Sequence, residues 1–104
     1  MKTINSNKNI IVDDLLNYLQ KKVNPLFQQH RQSNITFNIV KAGDEIEINQ
    51  PEVYDDFLFR LSADGNNLSV TKSEHYVDDV NVLTLESILD ILFTEYLGTT
   101  APQL

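Results

Sequence analysis

Cysteine and tryptophan are absent from this chain of 104 residues, glycine and proline occur three times each, and methionine once. Without cysteine there is no disulfide, no thiolate nucleophile and no cysteine-bound zinc, so the fold has to rest on apolar packing, helix caps and hydrogen bonds. Nowhere do 18 apolar residues run together, which excludes a membrane-spanning helix. The amino terminus, MKTINSNKNIIVDDLLNYL, has its apolar residues interrupted by Asp13 and Asp14, and no small-residue cleavage site follows. It lacks the pattern of a signal peptide, so the expected location is cytoplasmic and the sequons at Asn34 and Asn67 are expected to be accidental.

Positive charge is scarce and unevenly placed. Eight Lys and Arg face fifteen Asp and Glu, for a net charge of −7. Residues 1–42 hold six basic residues against two acids, +4, whereas residues 43–104 hold two against thirteen, −11. A field of that sign repels phosphate backbones, and no basic stripe with interleaved aromatics offsets it, so direct nucleic-acid binding is not expected. The expected partners are a protein with a basic surface or a second copy of the chain, with no membrane and no cofactor.

What is present reads as one small domain, residues 1–98, with a frayed tail at 99–104. A chain of this length buries roughly 65% of its unfolded surface around a single core. In IIVDDLLNYLQKKV, Ile11, Leu15, Leu19 and Val23 recur every fourth residue, the spacing of an amphipathic helix. Pro25 predicts a kink or stop at Asn24, followed by a short helical turn through PLFQQHR. His30 falls at its surface end. ITFNIV and EIEIN alternate apolar and polar residues on either side of a glycine-containing turn, as do DFLFRLS and LSVTK around ADGNN; each pair reads as a β-hairpin. Phe57, Phe59 and Leu61 are expected to face inward, and Leu58 outward. TLESILDILFTEYLG reads as a second amphipathic helix, with Leu85, Ile88, Leu89, Leu92 and Tyr96 on its apolar face, Thr84 as cap and Gly98 ending it. The expected architecture is α+β: a two-layer sandwich of a four-stranded antiparallel meander with both helices on one face, in the order α-β-β-β-β-α.

One constellation invites a catalytic reading. EHYVDDVNV, residues 74–82, brings a histidine, a tyrosine and two aspartates into five positions. Tyr76-Val77-Asp78-Asp79 resembles the Tyr-x-Asp-Asp tetrapeptide of reverse transcriptases, which implies magnesium-dependent nucleotidyl transfer. Such a site also needs further carboxylates from another strand and a basic channel for the template, and this half of the chain is acidic. In an extended segment Asp78 and Asp79 point to opposite faces, so the two side chains do not share one ion. A hard-cation site built from His75, Asp78 and Asp79 with Asp55 or Asp56 requires the loop before the third strand to lie beside them. The alternative is that Asp78 and Asp79 form a solvated connection ahead of the last helix, and that Asp55 and Asp56 are charges guarding a strand edge. Neither histidine lies near a Ser or Cys nucleophile in a recognisable frame.

The order helix, antiparallel strands, helix in an acidic chain of this length is similar to that of frataxin-like domains, which implies an iron-binding acidic surface on the first helix and adjoining strand. Here that helix has only Asp13 and Asp14 before turning basic, and there is no tryptophan to match the family's sheet-face residue. The leading expectation is therefore a non-enzymatic interaction or accessory domain whose acidic carboxyl-terminal two-thirds meets a basic surface. The alternatives are a divalent-cation-binding protein or metal-dependent enzyme using the residues named above, and an acidic nucleic-acid mimic.

Overall fold

The apolar-polar repeat nearest the carboxyl terminus, LSVTK, gains an unexpected neighbour. The computed structural model describes residues 2–31 and 34–98; the tail expected to fray at 99–104 lies outside them. Its elements are β1 (Lys2–Asn5), α1 (Val12–Arg31), β2 (Asn38–Ala42), β3 (Glu45–Asn49), β4 (Phe59–Asp64), β5 (Asn67–Lys72) and α2 (Val80–Leu97). The sheet is antiparallel throughout, in the order β1-β5-β4-β3-β2. The α+β class holds, but the expectation of four strands in the order α-β-β-β-β-α is corrected to five strands, with β1 ahead of the first helix. Lys2–Asn5 offers a single apolar residue, Ile4, too little for periodicity to register. The strand forms because β5 presents an open edge, pairing Lys2 with Val70 through Asn5 with Asn67.

Alternation then sorts the sheet into two faces. Ile4, Ile39, Ile46, Ile48, Phe59, Leu61, Leu68 and Val70 are buried with the inner faces of both helices in one cluster. Lys2, Lys41 and Lys72 share the parity of that face at its rim and reach Asp90, Asp13 and Glu86 on the helices, which places both helices on the same side. Leu58, expected on the outer face, is instead fully buried beside buried Phe59. Its amide donates to the Ile48 carbonyl at 2.8 Å, although Ile48 already faces Phe59 in the register. Two residues thus meet one, as in a β-bulge, and consecutive side chains turn to the core.

Helix α1 differs from expectation at both ends. Ile11 precedes the helix and is exposed, and the buried stripe is Leu15, Leu19, Val23 and Phe27. The helix also runs through Pro25 to Arg31 without stopping at Asn24. Proline removes the amide that would reach the Lys21 carbonyl, but Phe27, packed edge-on against Phe37 at 4.7 Å, anchors the following turn in the core. Asn24 is also held: its side-chain amide donates to the Phe37 carbonyl at 3.0 Å, and its oxygen accepts from the Phe37 amide at 2.8 Å. Gln20 donates to the Ile39 carbonyl at 2.8 Å. Side-chain amides of α1 thereby occupy backbone groups along the open edge at β2, where an additional strand would otherwise pair.

The amino-terminal segment is fastened to the far end of α2. Buried Ser6 donates to the Leu97 carbonyl at 3.2 Å, and Asn7 donates to the Gly98 carbonyl at 3.1 Å. Gly98 has φ 65°, which favours glycine, and a Cβ there would stand 2.9 Å from the end of the Asn7 side chain and displace it. Replacing Asn24 with alanine leaves the Phe37 amide and carbonyl without partners. The expected loss is roughly 1–3 kcal/mol, read as a lowered urea midpoint at unchanged slope.

Candidate functional site

The five residues read from the sequence as possible ligands are distributed around the junction between the 50–58 loop and the start of α2. Asp79 is the N-cap of that helix: its side chain accepts from the Val82 amide at 3.1 Å and from the Tyr54 hydroxyl at 2.9 Å. The helix accordingly begins at Val80, not at the expected cap Thr84, whose hydroxyl bonds back to the Val80 carbonyl. Tyr54 lies edge-on to Tyr76, ring centroids 4.9 Å apart, and the Tyr76 hydroxyl accepts from the Asp56 amide at 3.0 Å. Asp56 itself accepts from the Phe57 amide at 2.8 Å and faces the His75 imidazole at 3.4 Å. Asp55 and Asp78 are exposed.

These contacts latch a loop to a helix start. His75 and Asp56 meet, Asp79 turns inward to the backbone, and Asp55 and Asp78 join neither. Among the described residues no group of three or more His, Asp or Glu side chains is arranged to hold a metal ion. Asp13, which the frataxin-like resemblance would place on an iron-binding surface, is paired with Lys41 at 3.0 Å. Two open depressions of 290 and 260 Å³ lie on either side of half-buried Phe57, whose ring carries the Arg60 guanidinium at 4.0 Å. Ser73, His75 and Asp56 share the lining of the smaller one, where the Ser73 hydroxyl accepts from the His75 backbone amide and the His75 ring faces Asp56.

A further concavity lies between the solvent sides of the two helices. Its volume is 430 Å³, with Pro25, Leu26, Ile88, Ile91 and Leu92 forming an aliphatic floor, Lys21, Lys22 and His30 on the α1 wall, and Glu95 on the α2 wall. Ile91 remains 51% exposed. Glu95 is fixed by the Tyr18 hydroxyl, which donates to it at 3.2 Å, and Tyr18 packs against Tyr96 at 4.7 Å. Among the described residues, Lys2, Lys41, Arg60 and Lys72 pair with Asp90, Asp13, Glu47 and Glu86, and Lys8 lies over the Tyr96 ring. In a protein with nearly twice as many acids as bases, Lys21, Lys22 and Arg31 have no ion pair among the described residues, and the two lysines line an apolar groove with Glu95 on its other wall. Sequence reading missed this site because two registers have to be combined. One clue was available: Val80, Leu83 and Ile91 lie off the apolar face that Leu85, Ile88, Leu89 and Leu92 define.

Comparison with known proteins finds no matching family model, no similar curated protein and no similar solved structure. No helix among the described residues is long and apolar enough to cross a membrane.

Three tyrosines of these clusters have hydroxyls shifted above the ordinary tyrosine value. Burial is the first cause in each. The hydrogen bond to Glu95 and its charge add to it for Tyr18, and the charge of Asp14 for Tyr96. For Tyr54 the hydrogen bond to Asp79 and that carboxylate's charge raise the value, against an opposing hydrogen bond with Asn81. The fold therefore favours the neutral phenols. Their contribution to stability is intact below a pH of about 10 and is lost as pH rises through the folded values. Phenolate absorbance should consequently appear later than in free tyrosine and rise together with loss of the circular dichroism signal. Substituting Asp79 with alanine removes the cap and the Tyr54 partner, and is expected to lower stability by about 1–2 kcal/mol. Thermal melts with calcium, magnesium or manganese should show the same decrement as melts without them; a cation-dependent decrement would make Asp79 a ligand.

Proposed function

We propose that this domain is a non-catalytic protein-interaction module whose working surface is the helix layer, and that it receives a helical segment carrying aliphatic and acidic residues together. The observation that carries this reading is the inter-helix groove: an apolar floor bordered by the two lysines that the acid-rich remainder of the protein leaves unpaired. A groove between two helices is a natural receptor for a third, since anchors at helical spacing fill the floor while charge fixes orientation.

The acidic half gives less support as a docking surface. Glu47, Asp56, Asp79, Glu86, Asp90 and Glu95 all have partners within the protein. The outer sheet face sets Glu45, Glu47 and Asp64 and the cation Arg60 among Thr3, Asn5, Ser62, Ser69 and Thr71, following the strand registers. Hydroxyls and amides dominate it, which is unlike the repeated anions of a phosphate backbone.

The test is a titration of the isotope-labelled protein with a synthetic leucine–glutamate amphipathic helix, followed by amide chemical shifts. Shifts are expected at Lys21, Lys22, Leu26, Ile88 and Ile91, weakened by added salt and by the double change Lys21→Glu and Lys22→Glu. No shifts, or equal shifts from a leucine–lysine helix, would remove the reading.

A further inference from the structure

The outward arc of α2 carries no charge. At 100° per residue, Val80, Leu83, Thr84, Ser87, Ile91 and Thr94 lie opposite the buried stripe. Val80, Leu83 and Ile91 are 55%, 43% and 51% exposed. The hydroxyls between them point their hydrogen bonds back into the helix: Thr84 donates to the Val80 carbonyl, Ser87 to Leu83 and Thr94 to Asp90, at 2.9, 3.3 and 2.9 Å. With those donors satisfied internally, the arc behaves as a largely apolar ridge in a protein of net charge −7.

The ridge is also self-complementary. Leu83 lies four residues before Ser87 and Ile91 four residues after it; Val80 lies seven before and Thr94 seven after. Two copies of α2 crossing antiparallel at Ser87 set each Leu83 against Ile91 of the other, and the small serine at the crossing lets the axes approach closely.

Charge falls into place with the same orientation. Because Tyr18 meets Glu95 and Tyr96, α1 runs antiparallel to α2, and Lys21 and Lys22, one turn further along α1, lie beside the last turns of α2. In the antiparallel arrangement the first turn of the second copy's α2, preceded by its Asp78, comes over that same end. Asp78 is exposed and, like the two lysines, has no ion pair within its own protomer. The α2 acids on the other flank, Glu86 and Asp90, are already neutralised by Lys72 and Lys2; at the lysine end Glu95, held by the Tyr18 hydroxyl, stands with Lys21 and Lys22, so that two lysines there meet two carboxylates.

We propose that the occupant of this surface is a second copy of the chain, the two α2 helices packing antiparallel about Ser87 in a twofold dimer. This rests on the reading of the helix layer as an interaction surface, and places the second copy on the α2 ridge that adjoins the groove at Ile91. A contact built on one helix per subunit is smaller than the roughly 1,600 Å² of a standard stable interface, so the dimer forms reversibly and with concentration.

The absence of cysteine from the chain permits a direct test. Ser87→Cys, placed at the twofold axis, is expected to form a disulfide-linked dimer under mild oxidation far faster than Asn5→Cys on the outer sheet face. Sedimentation velocity of the unaltered chain from micromolar to millimolar concentration should show a shift from monomer to dimer. Leu83→Lys should weaken that association by roughly tenfold or more, as loss of a central interface residue does, with an unchanged melting temperature because the site is exposed. Lys22→Glu should weaken it too, and combining Lys22→Glu with Asp78→Lys should restore it. A chain that stays monomeric at millimolar concentration, a Ser87→Cys disulfide no faster than the Asn5→Cys control, or dimerisation indifferent to Leu83→Lys would overturn the proposal. In that event the leucine–glutamate helix decides the broader reading separately: shifts at Lys22 and Ile91 preserve a helix-layer binding module with another partner, and their absence removes both.

Discussion

Covering one apolar side of a five-stranded sheet with two helices is the constraint on which this protein depends. Five strands about 4.8 Å apart span about 19 Å, and two helices packed about 9 Å apart, each about 10 Å wide, cover that span without a third. The match explains why β1 belongs to the fold although its sequence hardly announces it. Without that strand the open edge of β5 would lie under α2 with unpaired backbone groups, and Lys2 would not reach Asp90. The opposite edge is closed differently, by the amides of Asn24 and Gln20 reaching down from α1. Both edges are therefore answered, one by a strand and the other by side chains.

The same geometry determines what the surface has to offer. Where helix and sheet meet at their rims, Lys41, Lys72 and Lys2 join Asp13, Glu86 and Asp90; of these pairs only Lys2–Asp90 links the basic first part of the chain to the acidic remainder. Partly exposed pairs of this kind contribute little stability each, but they remove anions from the list of surfaces available to a partner. On the helix layer they leave a groove with two lysines that have no ion pair and an adjoining ridge on α2 without charge.

The sequence made both helices, both hairpins and the α+β class legible because each carries a periodic apolar pattern over enough residues to stand out. It failed where a tertiary contact outweighed a local signal. Pro25 argues for a break, yet Phe27 and Asn24 hold the helix on course; Leu58 alternates outward, yet a bulge turns it in; Thr84 is a good cap, yet Asp79 serves because Tyr54 and the Val82 amide both reach it. The Tyr-x-Asp-Asp resemblance rested on four residues, and in the structure two of them, Tyr76 and Asp79, help bind a loop to a helix start. The groove was invisible to any one-dimensional reading, because its lysines lie with Pro25 and Leu26 on α1 while Ile88, Ile91 and Leu92 of its floor lie on α2.

The fastening of Ser6 and Asn7 to Leu97 and Gly98 spans 91 positions. A nascent chain therefore cannot complete its sheet in the order in which it is made: the first strand leaves the ribosome early but waits for β5 as its neighbour and for the close of α2 as its anchor. Until then Ile4 has no core to enter. Consolidation of the sheet therefore comes only after Gly98 has been made.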